Sequence, residues 1–371
     1  MEIGILGVFA LALFFVIPQL ALRRDAKVSP GLSLLVALVH LVSCFGAILF
    51  VQARPFDTDT LTYFYDLTYS LGTAIKPGTS FITYLTWWLR SGLGAGFDDQ
   101  MAIYALSGMA AYALMIRLLA DYNRESPPSW LAALMLLLPA NHFYSSAIGK
   151  DGLCMLGVAA VVLGMARFPA RIALTGAGLL ILVLARPHIA GITVVAIGFV
   201  LMFSASSRAA RSLAIVMLLA APFAGFFVFR TFLDINIFDF DQVATMLAER
   251  DQALSSSTFT INYIQNPVLR VLSFLLSPFF FDAANALALL ASFENLVLFF
   301  VLCVIVRNFA RYKLYRDEYP RILMVYAICI ALFLGLTNYN IGLGLRLKAM
   351  LFPILFGMLV VAQSVRHRRA A

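Results

Sequence analysis

The chain is short of charge. Of its 371 residues only 12% are Asp, Glu, Lys or Arg, whereas 62% are hydrophobic, and the mean hydropathy is +0.91. Soluble domains carry about a quarter charged residues, so a water-soluble globular enzyme is excluded. Domains smaller than roughly 50 residues are rare, and no polar stretch of that size remains once the apolar runs are assigned. Cysteine and histidine are scarce too, at four each. Cys44, Cys154, Cys303 and Cys329 all lie inside apolar runs, where thiols act as small hydrophobes. No disulfide framework and no thiolate metal site is therefore expected. No GxxxxGK[ST] loop and no strand–GxGxxG unit occurs, which argues against a bound nucleotide as the energy source. Residues 2–22 lack a basic leader and run into Arg23-Arg24, the pattern of a retained span and not of a cleaved signal.

What remains is hydrophobic length. A spanning helix needs about 20 mostly apolar residues. Apolar runs between charge clusters fall near 2–22, 31–52, 101–120, 129–146, 152–166, 172–186, 189–206, 212–230, 286–306, 322–338 and 349–365. The expected fold is an all-α polytopic transmembrane bundle of about 11 spans, a single integral membrane domain over 1–371. Two further apolar stretches, 79–97 and 267–282, fit poorly as spans because each carries an arginine, Arg90 or Arg270. Trp87-Trp88 suits the first to an interfacial or re-entrant helix at headgroup level.

The net charge of +8 reports orientation first and gives no reason to expect nucleic-acid binding. With the N-terminus outside, every inner helix end carries at least two basic residues, and 17 of the 27 fall on the inner side. The positive-inside rule then places the C-terminus inside; the multi-pass chain is expected in the cell inner (plasma) membrane. The long loops, about 53–100 and 231–285, lie outside. Ten basic and 12 acidic residues share that outer side against the general bias. Long loops tend to carry function, so any chemistry is expected on the extracytoplasmic face.

In the first outer loop Asp57 and Asp59 stand just beyond the second span, followed by Asp66. They could serve as a general base for an attacking hydroxyl, ligate a divalent cation, or be solvated turn residues. A second Phe-Asp-x-Asp, at 238–241, reads as part of a generally acidic loop. Lys150-Asp151 sits between two short spans, where a charge tends to be paired or functional. The alternative is that Asp151 caps the next helix and Lys150 snorkels. Arg186-Pro187-His188 puts a proline in a helix first turn, leaving free N–H groups beside two cationic side chains, an arrangement that suits phosphate. Arg346 and Lys348 repeat the pattern before the last span. One phosphate-rich ligand would account for Lys150, Arg186, His188, Arg346 and Lys348 together; five snorkelling residues would do so separately. Within the membrane, His40 and Glu294 are expected near mid-depth, as proton-relay groups, as a buried His–Glu pair, or with Glu294 bonded to Asn295 or a backbone group.

The span count, the Asp-bearing first outer loop with its juxtamembrane helix, and the basic outer helix ends resemble membrane glycosyltransferases of the GT-C class. They resemble Wzy-like and EpsG-like polysaccharide polymerases equally. Ser146-Ala-Ile-Gly-Lys-Asp-Gly152 and Ala185-Arg-Pro-His-Ile-Ala190 look like segments of exopolysaccharide membrane proteins. The long soluble C-terminal domain of several GT-C enzymes is missing, as is the two-loop arginine repeat of Wzy polymerases. The resemblance implies a polyprenyl-phosphate- or diphosphate-linked sugar or glycan as donor, catalysis by Asp57 or Asp59, and phosphate binding by the five cations. Asp66, Asp151 and Glu294 are secondary candidates. It implies no certain cofactor, with a divalent cation the one candidate, and membrane lipids and polysaccharide-assembly proteins as partners. Two alternatives stay open: a solute transporter or lipid-linked-glycan flippase, and a non-catalytic envelope-assembly protein.

Overall fold

The computed structural model describes residues 2–22, 27–53, 59–66, 75–124, 127–204, 208, 211–212, 214–220, 241, 245, 266–283, 286–338 and 341–370. Among them the regular structure is helical and contains no strand. Two compact units divide the chain: Met1–Arg186 with Phe352–Ala371, and Pro187–Leu351.

The first unit contains α1 (Ile5–Ala21), α2 (Pro30–Gln52), α3 (Asp59–Tyr65), α4 (Thr79–Leu93), α5 (Phe97–Tyr122), α6 (Trp130–Met135), α7 (Pro139–Tyr144), α8 (Asp151–Met165) and α9 (Ile172–Ala185). Ser29 starts α2 by accepting a hydrogen bond from Gly31 N, with Pro30 at the first helical position, where its missing N–H costs nothing. α5 lies at the centre. Its apolar residues run round the whole cylinder and are buried from Met101 to Ala120 on nearly every side, as expected of a helix with no solvated face. α1 and α8 both pack on it. α8 and α9 approach so closely that a Cβ on Gly178 would sit 2.6 Å from Gly157 O. Small residues allow such an approach between helices.

The run 129–146 forms two short helices instead of one continuous helix. Pro139 has no N–H to continue the ladder and drives Leu138 into the extended region, at ψ 113, so α6 stops and α7 starts afresh. α4 is strongly one-sided in its hydrophobicity, unlike α1, α8 and α9. Glycines with φ of +88° and +67°, Gly78 and Gly94, bound it at both ends, a conformation costly for any residue with a Cβ. At the opposite end of α5, Asp121 collects Arg171 at 2.6 Å, Arg167 at 3.5 Å and Arg117 at 3.6 Å.

The second unit contains α10 (Pro187–Ser204), α11 (Pro267–Leu276), α12 (Ala286–Tyr312), α13 (Glu318–Thr337) and the opening turns of α14 (Ile341–Ala370). α10 and α11 both pack on α13. Tyr326 Oη and Ile189 O each lie 2.7 Å from Thr193 Oγ1. α11 is short and sharply one-sided: Phe274 is buried, while Val268, Leu269 and Leu272 are exposed.

Among the described residues five helices are long and apolar enough to cross a membrane: α2, α5, α12, α13 and α14. The 17, 15 and 14 residues of α1, α8 and α9 reach only about 21–26 Å at about 1.5 Å per residue, short of a hydrocarbon core of about 30 Å. Most of the run expected at 212–230 lies outside the described residues.

Candidate functional site

At one end of the first unit, four stretches distant in sequence are tied together. Thr60, the second residue of α3, bonds through its hydroxyl to Ile148 O at 3.1 Å. Gly78, just before α4, donates its N–H to Leu184 O at 2.8 Å. Lys150 Nζ donates to Thr79 Oγ1 at 2.7 Å, and Arg186 Nη2 donates to Asp151 Oδ1 at 2.8 Å. These bonds bring Asp59, Thr79, Lys150, Asp151 and Arg186 into one loop cluster.

Its electrostatics follow from the local folds. Asp151 occupies the first turn of α8, where a carboxylate meets the positive end of the helix dipole. It is 4% exposed and paired with Arg186. The pair satisfies the carboxylate but only part of the guanidinium, whose Nε is buried without a hydrogen-bond partner in the described structure. α4 begins at Gly78 without a side-chain cap, so its first N–H groups face the same cluster. Lys150 and Arg186 are balanced in number by Asp151 and the exposed Asp59, so what suits the cluster to a phosphate is the uncapped N-terminus of α4 and the unsatisfied Arg186 Nε.

Asp59 is exposed at the start of α3, and Asp66 follows its end. Arg90 holds that end: its guanidinium donates to Phe64 O and, at 3.4 Å, to Asp66 O, and it lies over the Phe64 ring. A cavity of about 460 Å³ opens beside it, lined among others by Glu2, Gln52, Leu61, Tyr65, Phe97 and Asp98. Asp57 lies outside the described residues.

The remaining candidates belong to the second unit. Lys348 is buried, donating to Ser277 O and Asn295 Oδ1, each at 2.7 Å. Two of its three N–H donors are therefore occupied by protein groups. Glu294 neighbours Asn295 on α12 and acts electrostatically on the same ammonium. His188 is exposed, its ring 5.6 Å from that of Phe333, and Arg346 is half-buried. The ring nitrogens of His40 are taken by His142 Nδ1 at 3.1 Å and Ala105 O at 2.8 Å, and not by Glu294, one of the expected alternatives. Among the described residues no group of three or more His, Cys, Asp and Glu could hold a metal ion.

Sequence reasoning missed Asp98 and Asp99. They open α5 and collect the start of the chain, with Glu2 N on Asp98 at 2.7 Å and Gly4 N and Gly7 N on Asp99 at 2.7 and 3.0 Å. Gln52 Nε2 donates to Asp98 at 2.9 Å. The signal was present in Gly96-Phe-Asp-Asp, a glycine followed by two acids at a helix start. Thr60 and Thr79 carried no local signal, because their partners are some 90 and 70 residues away.

Compared with known proteins, the chain matches no family model, no curated protein and no solved structure.

Proposed function

We propose that the protein is a membrane glycosyltransferase or polysaccharide polymerase that uses a polyprenyl-phosphate- or diphosphate-linked sugar donor. It would work at the extracytoplasmic face of the inner membrane, in envelope or exopolysaccharide synthesis. In this reading the chain spans about 11 times with its N-terminus outside, and α4 and α11 lie at the interface. The observation that carries it is the cluster of Lys150, Arg186 and the open N-terminus of α4, tied through Thr60 and Ile148 to the helix that starts with Asp59.

The chemistry follows from those groups. Asp59, or Asp57 beside it, accepts the proton of the acceptor hydroxyl as its oxygen bonds to the anomeric carbon. The bond from that carbon to the lipid phosphate breaks. Lys150 and Arg186 stabilise the negative charge left on the phosphate. The cavity beside α3 suits an acceptor glycan, with aromatic faces from Tyr65 and Phe97 and hydrogen-bonding groups from Glu2 and Gln52.

The test is titration of a polyprenyl phosphate into the purified protein in nanodiscs, with a neutral polyprenol as reference. Wild type is expected to bind the phosphate preferentially, and Lys150→Ala to weaken it about tenfold or more, since a charge-assisted hydrogen bond contributes about 1.5–3 kcal/mol. Equal binding of both lipids sinks the phosphate site. Asp59→Asn should keep lipid binding and lose glycan product. A proton-coupled flippase is the second reading, favoured by the buried contact between His40 and His142. It gains if substitution of His40 abolishes glycan export while Asp59→Asn does not.

A further inference from the structure

His40 lies midway along α2, a helix long enough to cross a membrane, and neither it nor His142 of α7 has solvent exposure. Their Nδ1 atoms are 3.1 Å apart. His40 Nε2 is 2.8 Å from Ala105 O, and His142 Nε2 is 2.8 Å from Leu136 O. A carbonyl oxygen only accepts, so each Nε2 must carry a proton to make its bond. A neutral imidazole has one proton. With both protons on Nε2, the two Nδ1 atoms would face each other as bare lone pairs at hydrogen-bonding distance. Moving one proton to Nδ1 mends that contact and sets an Nε2 lone pair against a carbonyl oxygen. Two protons cannot satisfy three contacts, whereas three protons can.

Aromatic and carbonyl groups around the pair offset part of the cost of burying a charge there. The Tyr112 ring stacks on His142 with centroids 3.9 Å apart and planes within 5°. Phe14 lies 5.0 Å from His40. Aromatic faces and carbonyl oxygens both attract positive charge. The break between α6 and α7 supplies one of these acceptors, since Leu136 lies in the turn that Pro139 forces.

We propose that His40 and His142 form a proton-binding site, holding one extra proton between their Nδ1 atoms as an imidazolium–imidazole pair. The other titratable groups on the packed helices leave this geometry to the dyad. α1 has none. Cys44 lies one turn along α2, Tyr144 follows on α7, and α5 offers Tyr104, Tyr112 and Tyr122. The charges of α5 sit at its ends: Asp98 and Asp99 are held by the start of the chain, and Asp121 by Arg117, Arg167 and Arg171. The site stands apart from the glycosyl-transfer reading.

The test is ¹⁵N-histidine NMR of the full chain in lipid bilayers at pH 7.5, in a His188→Gln, His367→Gln background that leaves two imidazoles. The expected result is one imidazolium and one neutral ring, coupled Nδ1 to Nδ1 through a shared proton. Two neutral rings would overturn the proposal. In His40→Asn the side-chain NH2 can donate to His142 Nδ1 while His142 keeps its one proton on Nε2 for Leu136 O, so the remaining His142 should be neutral. A charged His142 there would also overturn a shared site, and if that variant does not fold, the wild-type spectrum decides alone.

Discussion

Arg186 and Asp151 show how much one ion pair can decide. Both side chains are nearly buried, at 12% and 5% exposure, and Asp151 also completes the first turn of α8. Removing one partner of such a pair leaves an uncompensated charge away from water, at a cost of about 3–5 kcal/mol. Asp151→Asn should therefore lower the thermal unfolding midpoint in detergent markedly. Arg186→Gln added to it should restore part of the loss, because two amides can bond without a net charge. No restoration would mean that the pair is not coupled. Asp98 and Asp99 act through their own hydrogen bonds: one carboxylate at the start of α5 receives two N–H groups from the start of α1. That is why a stretch legible only as a helix start also anchors the chain terminus.

Among the elements, α8 and α9 depend on the absence of side chains. Gly157 and Gly178 face each other, and a Cβ on Gly178 meets Gly157 O, Ala160 and Val161. Forcing a methyl into such a contact costs about 1–3 kcal/mol. Gly176, two residues along the same helix, opens onto free space. Gly178→Ala should lower thermal stability in detergent, while Gly176→Ala should stay within about 1 kcal/mol of wild type. A similar midpoint for both would show that the helices can separate at little cost. α4 and α11 were legible in the sequence as apolar stretches each carrying an arginine; their one-sided apolar patterns are seen in the folded helices. The break between α6 and α7 was less legible, because Pro139 sits in an otherwise continuous apolar run.

For the whole molecule, the basic residues predict orientation. Arg124, beyond the end of α5, is expected inside, and Lys76, before α4, outside. Both are exposed. In a cysteine-free background, Lys76→Cys should react with a membrane-impermeant maleimide on intact cells. Arg124→Cys should react only after permeabilisation. The reverse pattern would remove the extracytoplasmic donor from the proposed reaction.

Composition and hydrophobic run length alone determined that this is a helical chain with helices long and apolar enough to cross a membrane, because both are local: an apolar run of sufficient length has few alternatives to a buried helix. Charge counting along the chain also picked out Lys150, Asp151 and Arg186 as unusual. Which partners those charges meet was decided only by tertiary structure. Thr79 reaches Lys150, Asp151 reaches Arg186, and His40 meets His142 across separations of 71, 35 and 102 residues. Such contacts depend on how helices are rotated and stacked against one another, which is set by packing of glycines and side chains over the whole first unit. No local pattern carries that rotation, so a histidine with an unassigned partner became visible as half of a dyad only once α2, α5 and α7 were assembled.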